Sequence, residues 1–215
     1  MFDFLNRIRC VENKISVKRQ ILNTAGVMLF GIALGIISKY LDCPPSNGLP
    51  FVIELLDFTN FFGRFAVWVF LAVCISVYSV SPGRAAVNVF LFFVGMLASY
   101  YTYSTFIAGF FPLSYAMVWG GFTVISPLLA FICWYAKGSG KISLVISAGI
   151  IAMLFNMTFV YGWIYFDIRS VLELAIFVCG VIVLRRESVR RTVIMTAVGI
   201  VIAIGINMIV PFRFG

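Results

Sequence analysis

The feature that most constrains this chain is a series of apolar runs, about eighteen residues or longer, that carry almost no charge. In the last of them no Asp, Glu, Lys or Arg occurs between Arg191 and Arg213. A helix needs ~20 such residues to cross a ~30 Å hydrocarbon layer. Composition agrees: 62% of the residues are hydrophobic and 11% charged, against roughly half and about a quarter in ordinary soluble domains. One apolar run could fill the core of a soluble all-α protein, but repeated uncharged runs of this length require lipid as the solvent. The chain is therefore read as an all-α, polytopic transmembrane helix bundle forming a single domain over 1–215. Its spans are placed at 21–40, 64–81, 86–107, 114–136, 142–162, 168–184 and 191–211.

The formal charge of +8 does not point to nucleic acid, because the basic residues sit in short tracts between apolar runs and form no stripe along an exposed element. They mark topology instead, since cytosolic loops concentrate Lys and Arg. Arg7, Arg9, Lys14, Lys18 and Arg19 lie in the N-terminal segment 1–20. On the same side follow Arg84, then Lys137 and Lys141, then Arg185, Arg186, Arg190 and Arg191. The opposite side receives Lys39, Arg64, Arg169 and Arg213. The imbalance predicts a cytosolic N-terminus, seven crossings and an extracytoplasmic C-terminus. The basic tract precedes a long apolar span with no small-residue cleavage site, which reads as a retained first helix. Ser81-Pro82-Gly83 and Gly138-Ser139-Gly140 supply tight cytosolic turns. Between the first two spans lies an outer loop, 41–63. It opens on the turn-forming Cys43-Pro44-Pro45-Ser46-Asn47-Gly48 and continues as a segment from Phe51 to Phe62 that mixes apolar residues with Glu54, Asp57 and Asn60. That segment is too short and too charged to span, and reads as an amphipathic interfacial helix or a re-entrant piece.

The stretch Tyr78-Ser79-Val80-Ser81-Pro82-Gly83-Arg84-Ala85-Ala86-Val87-Asn88-Val89-Phe90-Leu91-Phe92-Phe93 resembles a family of bacterial multi-pass membrane proteins to which no activity is attached. The resemblance covers spans two to four at most. It implies a bacterial cytoplasmic membrane as the setting and carries no chemistry with it.

The chain contains no histidine, which removes the commonest metal ligand and general base. Cys10, Cys43, Cys74, Cys133 and Cys179 are widely separated and include no CxxC pair, so neither a metal set, a cofactor nor a disulfide framework is expected. Polar groups inside spans are costly and face protein or a watery cavity. Glu173 is the one carboxylate in mid-span, with Arg169 one turn before it at a spacing that allows pairing. Asn156, Asn207, Ser99, Tyr103 and Trp119 fall in the outer halves of their spans. They are expected to line one outward-facing, ligand-binding cavity with Glu173 and Arg169, and Asp57, Asn60 and Arg64 are expected to cover its mouth. Small and polar residues recur on single helix faces: Thr192, Thr196, Gly199, Ala203 and Asn207 in the last span, Ala148, Ala152 and Asn156 in the fifth, and Ser170, Glu173, Phe177 and Gly180 in the sixth. Such faces meet other helices, as does Gly31-x-x-x-Gly35. Ser126-Pro127 is expected to kink the fourth span and free a carbonyl.

Two functional classes follow. The favoured one is a small non-enzymatic transporter, or membrane-embedded binding subunit, for a small solute or lipid. The other is a regulatory, assembly or immunity protein that binds another membrane protein or a second copy of itself. No catalytic residue is assigned, because a lone carboxylate without histidine matches no intramembrane hydrolase template.

Overall fold

A computed structural model describes residues 2–11, 15–43 and 50–209 of the chain. Lys14, the expected turn at 44–48 and Arg213 lie outside the described residues. The elements are α1 (Phe2–Ile8), α2 (Val17–Asp42), α3 (Phe51–Leu55), α4 (Phe58–Gly63), α5 (Phe65–Tyr78), α6 (Pro82–Phe106), α7 (Leu113–Trp134), α8 (Gly140–Thr158), β1 (Phe159–Tyr161), β2 (Phe166–Ile168), α9 (Val171–Val183) and α10 (Val189–Ile209). Five of them, α2, α6, α7 continued by a 3-10 turn to Lys137, α8 and α10, are long and apolar enough to cross a membrane. Leu29, Leu128 and Val201 expose large apolar side chains on these helices, as expected of faces bathed in lipid rather than water. The protein is thus an all-α membrane helix bundle in contact with the bilayer.

The seven expected spans map onto seven apolar helices of unequal length. α5 has 14 residues and α9 has 13, so each rises about 20 Å. The fifth span ends at Thr158, short of the expected 162, and the chain turns there into an antiparallel hairpin in which Phe159 pairs with Ile168 and Tyr161 with Phe166. The outer segment folds as two short helices, α3 and α4, separated at Asp57, whose φ of 55° is left-handed. Asp and Asn tolerate that conformation better than other non-glycine residues.

The chain forms two compact units. In the unit made of 11–54 and 75–134, α6 packs between α2 and α7. The α2–α6 seam is close because it is built from glycine. A Cβ at Gly31 would strike the Phe92 carbonyl, one at Gly35 the Met96 carbonyl and Ser99 Oγ, and one at Gly95 the Met28 carbonyl. Small residues here let two backbones approach. Ser81 caps α6 by accepting from the Arg84 amide at 3.2 Å, with Pro82 in the first turn, where its missing N–H costs nothing. Pro127 lies inside α7, which continues to Trp134. A proline leaves the carbonyl four residues earlier without its helical donor, and Ser126 Oγ donates to that carbonyl, Thr123 O, at 2.8 Å.

In the unit made of 1–10, 55–74 and 135–215, α8 is the central element and packs on α9 and α10. The small-residue faces read from the sequence meet here. Gly199 abuts the Ala148 carbonyl and Ile151, Gly180 abuts Leu154, and Ala148, Ala152 and Ala203 are fully buried. α1 docks against the start of α8, with the Ser139 amide donating to the Ile8 carbonyl at 2.7 Å.

Candidate functional site

Glu173 lies in the first turn of α9 with 0% of its side chain exposed, under a cap in which Ser170 Oγ bonds its carboxylate and accepts from its amide. Its ion-pair partner is Arg64 rather than the expected Arg169: Arg64 Nη1 donates to Glu173 Oε1 at 2.8 Å. The same guanidinium reaches Asp57 Oδ2 through Nη2 at 3.3 Å, and Asn60 Nδ2 donates to Asp57 Oδ1 at 2.7 Å. The three residues expected at a mouth therefore form one charged cluster with Glu173. Thr158 Oγ1 donates to the Glu173 backbone carbonyl at 3.0 Å, tying the end of α8 to the start of α9. Both carboxylate oxygens are engaged, which is what a buried charge needs to be tolerated.

Asn156 is buried on α8 with both ends of its amide used. Nδ2 donates to Ala203 O of α10 at 3.2 Å, and Oδ1 accepts from the Tyr161 hydroxyl at 2.6 Å. Burial pushes the Tyr161 phenol above its ordinary pKa, in the direction that favours the donor form. Asn207 on α10 and Arg169 at the end of the hairpin are half-buried in the same unit. Ser99, Tyr103 and Trp119 belong to the other unit. Ser99 Oγ bonds the Ile32 and Met96 carbonyls at 3.0 Å each, in the α2–α6 seam. Trp119 is half-buried on α7, its ring 6.3 Å from that of Phe122.

Tyr103 leads to a site that sequence reasoning missed. It lines a cavity of about 470 Å³ with Lys39, Asp42, Ile107, Ala108 and Phe110. The Lys39 side chain is 2% exposed, and Nζ donates to Asp42 Oδ2 at 2.7 Å. The ammonium lies 4.5 Å from the Phe110 ring centroid and 5.3 Å from that of Tyr100, whose hydroxyl donates to Asp42 Oδ2 at 3.3 Å. Aromatic faces stabilise a cation that has left water, and an ammonium has three donors, of which Asp42 takes one. The arrangement presents an ammonium, a carboxylate, a phenol and apolar walls to one volume. Lys39 and Asp42 are the i, i+3 pair closing the last turn of α2, a spacing visible in the sequence, but Lys39 alone marks only a side of the membrane.

At the other end of the same helix pair a second polar group forms. Asn88 accepts from Thr24 Oγ1 at 2.7 Å and donates to Ser79 Oγ at 3.0 Å, while Arg84 Nη2 donates to the Gln20 carbonyl at 2.6 Å and to Thr24 Oγ1. In the unit containing α8, Arg186 inserts its guanidinium among neutral acceptors: Nη1 donates to Gly138 O and Ser143 Oγ at 2.8 and 2.9 Å, and Nη2 to Ser143 O and Ser147 Oγ at 2.7 and 2.8 Å. Burial lowers the Arg186 pKa from its ordinary value. The five cysteines are free thiols.

The fold and these sites define a class, the polytopic α-helical membrane proteins. Within that class no family model, curated protein or solved structure matches the chain.

Proposed function

We propose that the chain is a small seven-span protein of a bacterial cytoplasmic membrane, N-terminus inside and C-terminus outside, that binds a small solute or lipid headgroup in an outward-facing polar pocket, as a transporter or as its binding subunit. The observation that carries this reading is the Lys39 cavity. A buried ammonium beside a carboxylate is costly to maintain at the end of a membrane helix, and a built volume with paired charges, a phenol and aromatic walls gives that cost a use.

The topology is supported by which segments bond to each other. Within one unit, α1, the turn at 138–139 and Arg186, all assigned to the cytosol by charge, hydrogen-bond together, whereas Arg64, Asp57 and Glu173, assigned to the outside, form their own cluster. In the other unit Gln20 meets Arg84, and Lys39 shares a cavity with Tyr103 and Phe110. Every one of these contacts joins segments given the same side.

Native mass spectrometry of protein released from cell membranes tests the pocket. Wild type should carry a small-molecule or lipid adduct, and Tyr103→Trp, which fills the cavity while keeping Lys39 and Asp42, should lose it. Identical adduct-free spectra would favour the second reading, a protein that regulates or assembles with another membrane protein. That reading draws on the hairpin tip, where Trp163 and Ile164 are 92% and 98% exposed.

A further inference from the structure

Near the start of α2 and α6 lies a cavity of about 480 Å³ whose polar lining is Gln20, Asn23, Tyr78, Ser79, Arg84 and Asn88. Among the described residues no carboxylate lines it. Several of the neutral groups are already committed: Thr24 to Asn88, Asn88 to Ser79, Ser79 Oγ to the Ile75 carbonyl at 2.7 Å, and Gln20 Nε2 to the Ile15 carbonyl at 2.8 Å. The charge is not. Arg84 is half-buried, and the ion pairs among the described residues are Lys39–Asp42, Arg64–Asp57 and Arg64–Glu173. Its Nη2 is held by Gln20 O and Thr24 Oγ1, which fixes the guanidinium plane, while Nε and Nη1 donate to none of the described residues.

We infer that this cavity binds a phosphate group. With Nη2 committed, Nη1 and Nε keep their hydrogens for an oxyanion, and hydrogen bonds from a guanidinium to phosphate are charge-assisted. Asn23 is exposed beside it as a further donor. Lys18 and Arg19, exposed one turn earlier on α2, bias the surroundings toward anions. Leu22 and Phe30 expose apolar side chains on the same helix and line the same cavity, which fits a phosphate carried on acyl chains. The shared chemistry is the phosphate, delivered either by an anionic phospholipid or from solution.

The full chain in nanodiscs of phosphatidylcholine, with or without a minority of phosphatidylglycerol, distinguishes the two. Wild type should retain phosphatidylglycerol over phosphatidylcholine by about tenfold in native mass spectra, and Arg84→Gln should erase that preference. Because Arg84 also links α2 to α6, Gly26→Leu is the companion variant. Gly26 lines the cavity and a Cβ there meets nothing within 4 Å, so a leucine side chain starts in open space and takes up cavity volume while every residue that bonds Arg84 is kept. It should abolish the preference at an unfolding midpoint no lower than that of wild type. If phosphatidylglycerol shows no preference but inorganic phosphate raises the midpoint in phosphatidylcholine discs, and Gly26→Leu removes that rise, the phosphate site stands with a soluble source. Neither effect in wild type, or a preference that survives both substitutions, overturns the site.

Discussion

Glu173 takes its counter-charge from Arg64, 109 positions away in the chain, and not from the arginine one turn before it. Local spacing pointed to Arg169, because i, i+4 pairing is the one charge geometry a single sequence displays. Two facts of the fold redirect it. Residue 169 is the first after β2, ahead of the Ser170 cap, so Arg169 and Glu173 do not share a helix. Arg64 follows α4 and is already steered by Asp57. The environment of Glu173 was legible, since an ionisable group in an apolar run must be partnered, but its partner was not. Arg64→Gln leaves a carboxylate with no exposure and only a serine beside it. It should cost about 3 kcal/mol of unfolding free energy, the low end for breaking a buried pair, because Arg64 retains 20% exposure. Adding Glu173→Gln should restore most of the loss. Unfolding midpoints in detergent for both single variants and the double variant give the coupling, and additive effects would mean the pair holds nothing together.

Helices illustrate a different limit. Hydropathy located every long apolar helix within a few residues, because length and lack of charge are what lipid selects for. It carried the fifth span on to 162 because Phe159-Val160-Tyr161 is as apolar as the helix before it, and only its β-branched and aromatic character hints at a strand. Small-residue periodicity performed better: the faces drawn on α8, α9 and α10 are the faces that touch. Within α2 the glycines separate into two kinds that sequence alone does not distinguish. Gly31 lies against the Phe92 backbone, whereas Gly26 faces open space. Gly31→Ala should therefore destabilise the α2–α6 pair by about 1–3 kcal/mol, because a backbone carbonyl cannot step aside as a side-chain tip does. Gly26→Ala should be neutral or stabilising by about 0.5–1 kcal/mol through helix propensity. Thermal unfolding in one detergent ranks them, and equal midpoints would show that the seam is looser than the structure has it.

At the scale of the whole molecule the two ends of α2 matter together. Gln20 and Lys39 are separated by about 28 Å of ideal helix, close to the ~30 Å of a hydrocarbon core. The glycine seam lies between them, so the two cavities described above sit at opposite ends of a tightly packed pair. Basic residues flank the Gln20 end, and the charge rule behind the proposed orientation of α2 applies equally to α8, which begins after Gly138-Ser139 and ends at the hairpin. Two positions bracketing α8 test the orientation directly. Ser139 is exposed and its side chain makes no capping bond, and Ile164 stands 98% exposed at the hairpin tip. In a chain whose native cysteines are replaced, Ile164→Cys should react with a membrane-impermeant maleimide on intact cells, and Ser139→Cys only after the membrane is opened. Labelling of Ser139→Cys alone would invert the protein. Equal labelling of both from outside would mean that α8 does not cross, and since α8 carries Asn156 and holds α9 and α10 in place, the alternation of basic loops would then lose its structural basis.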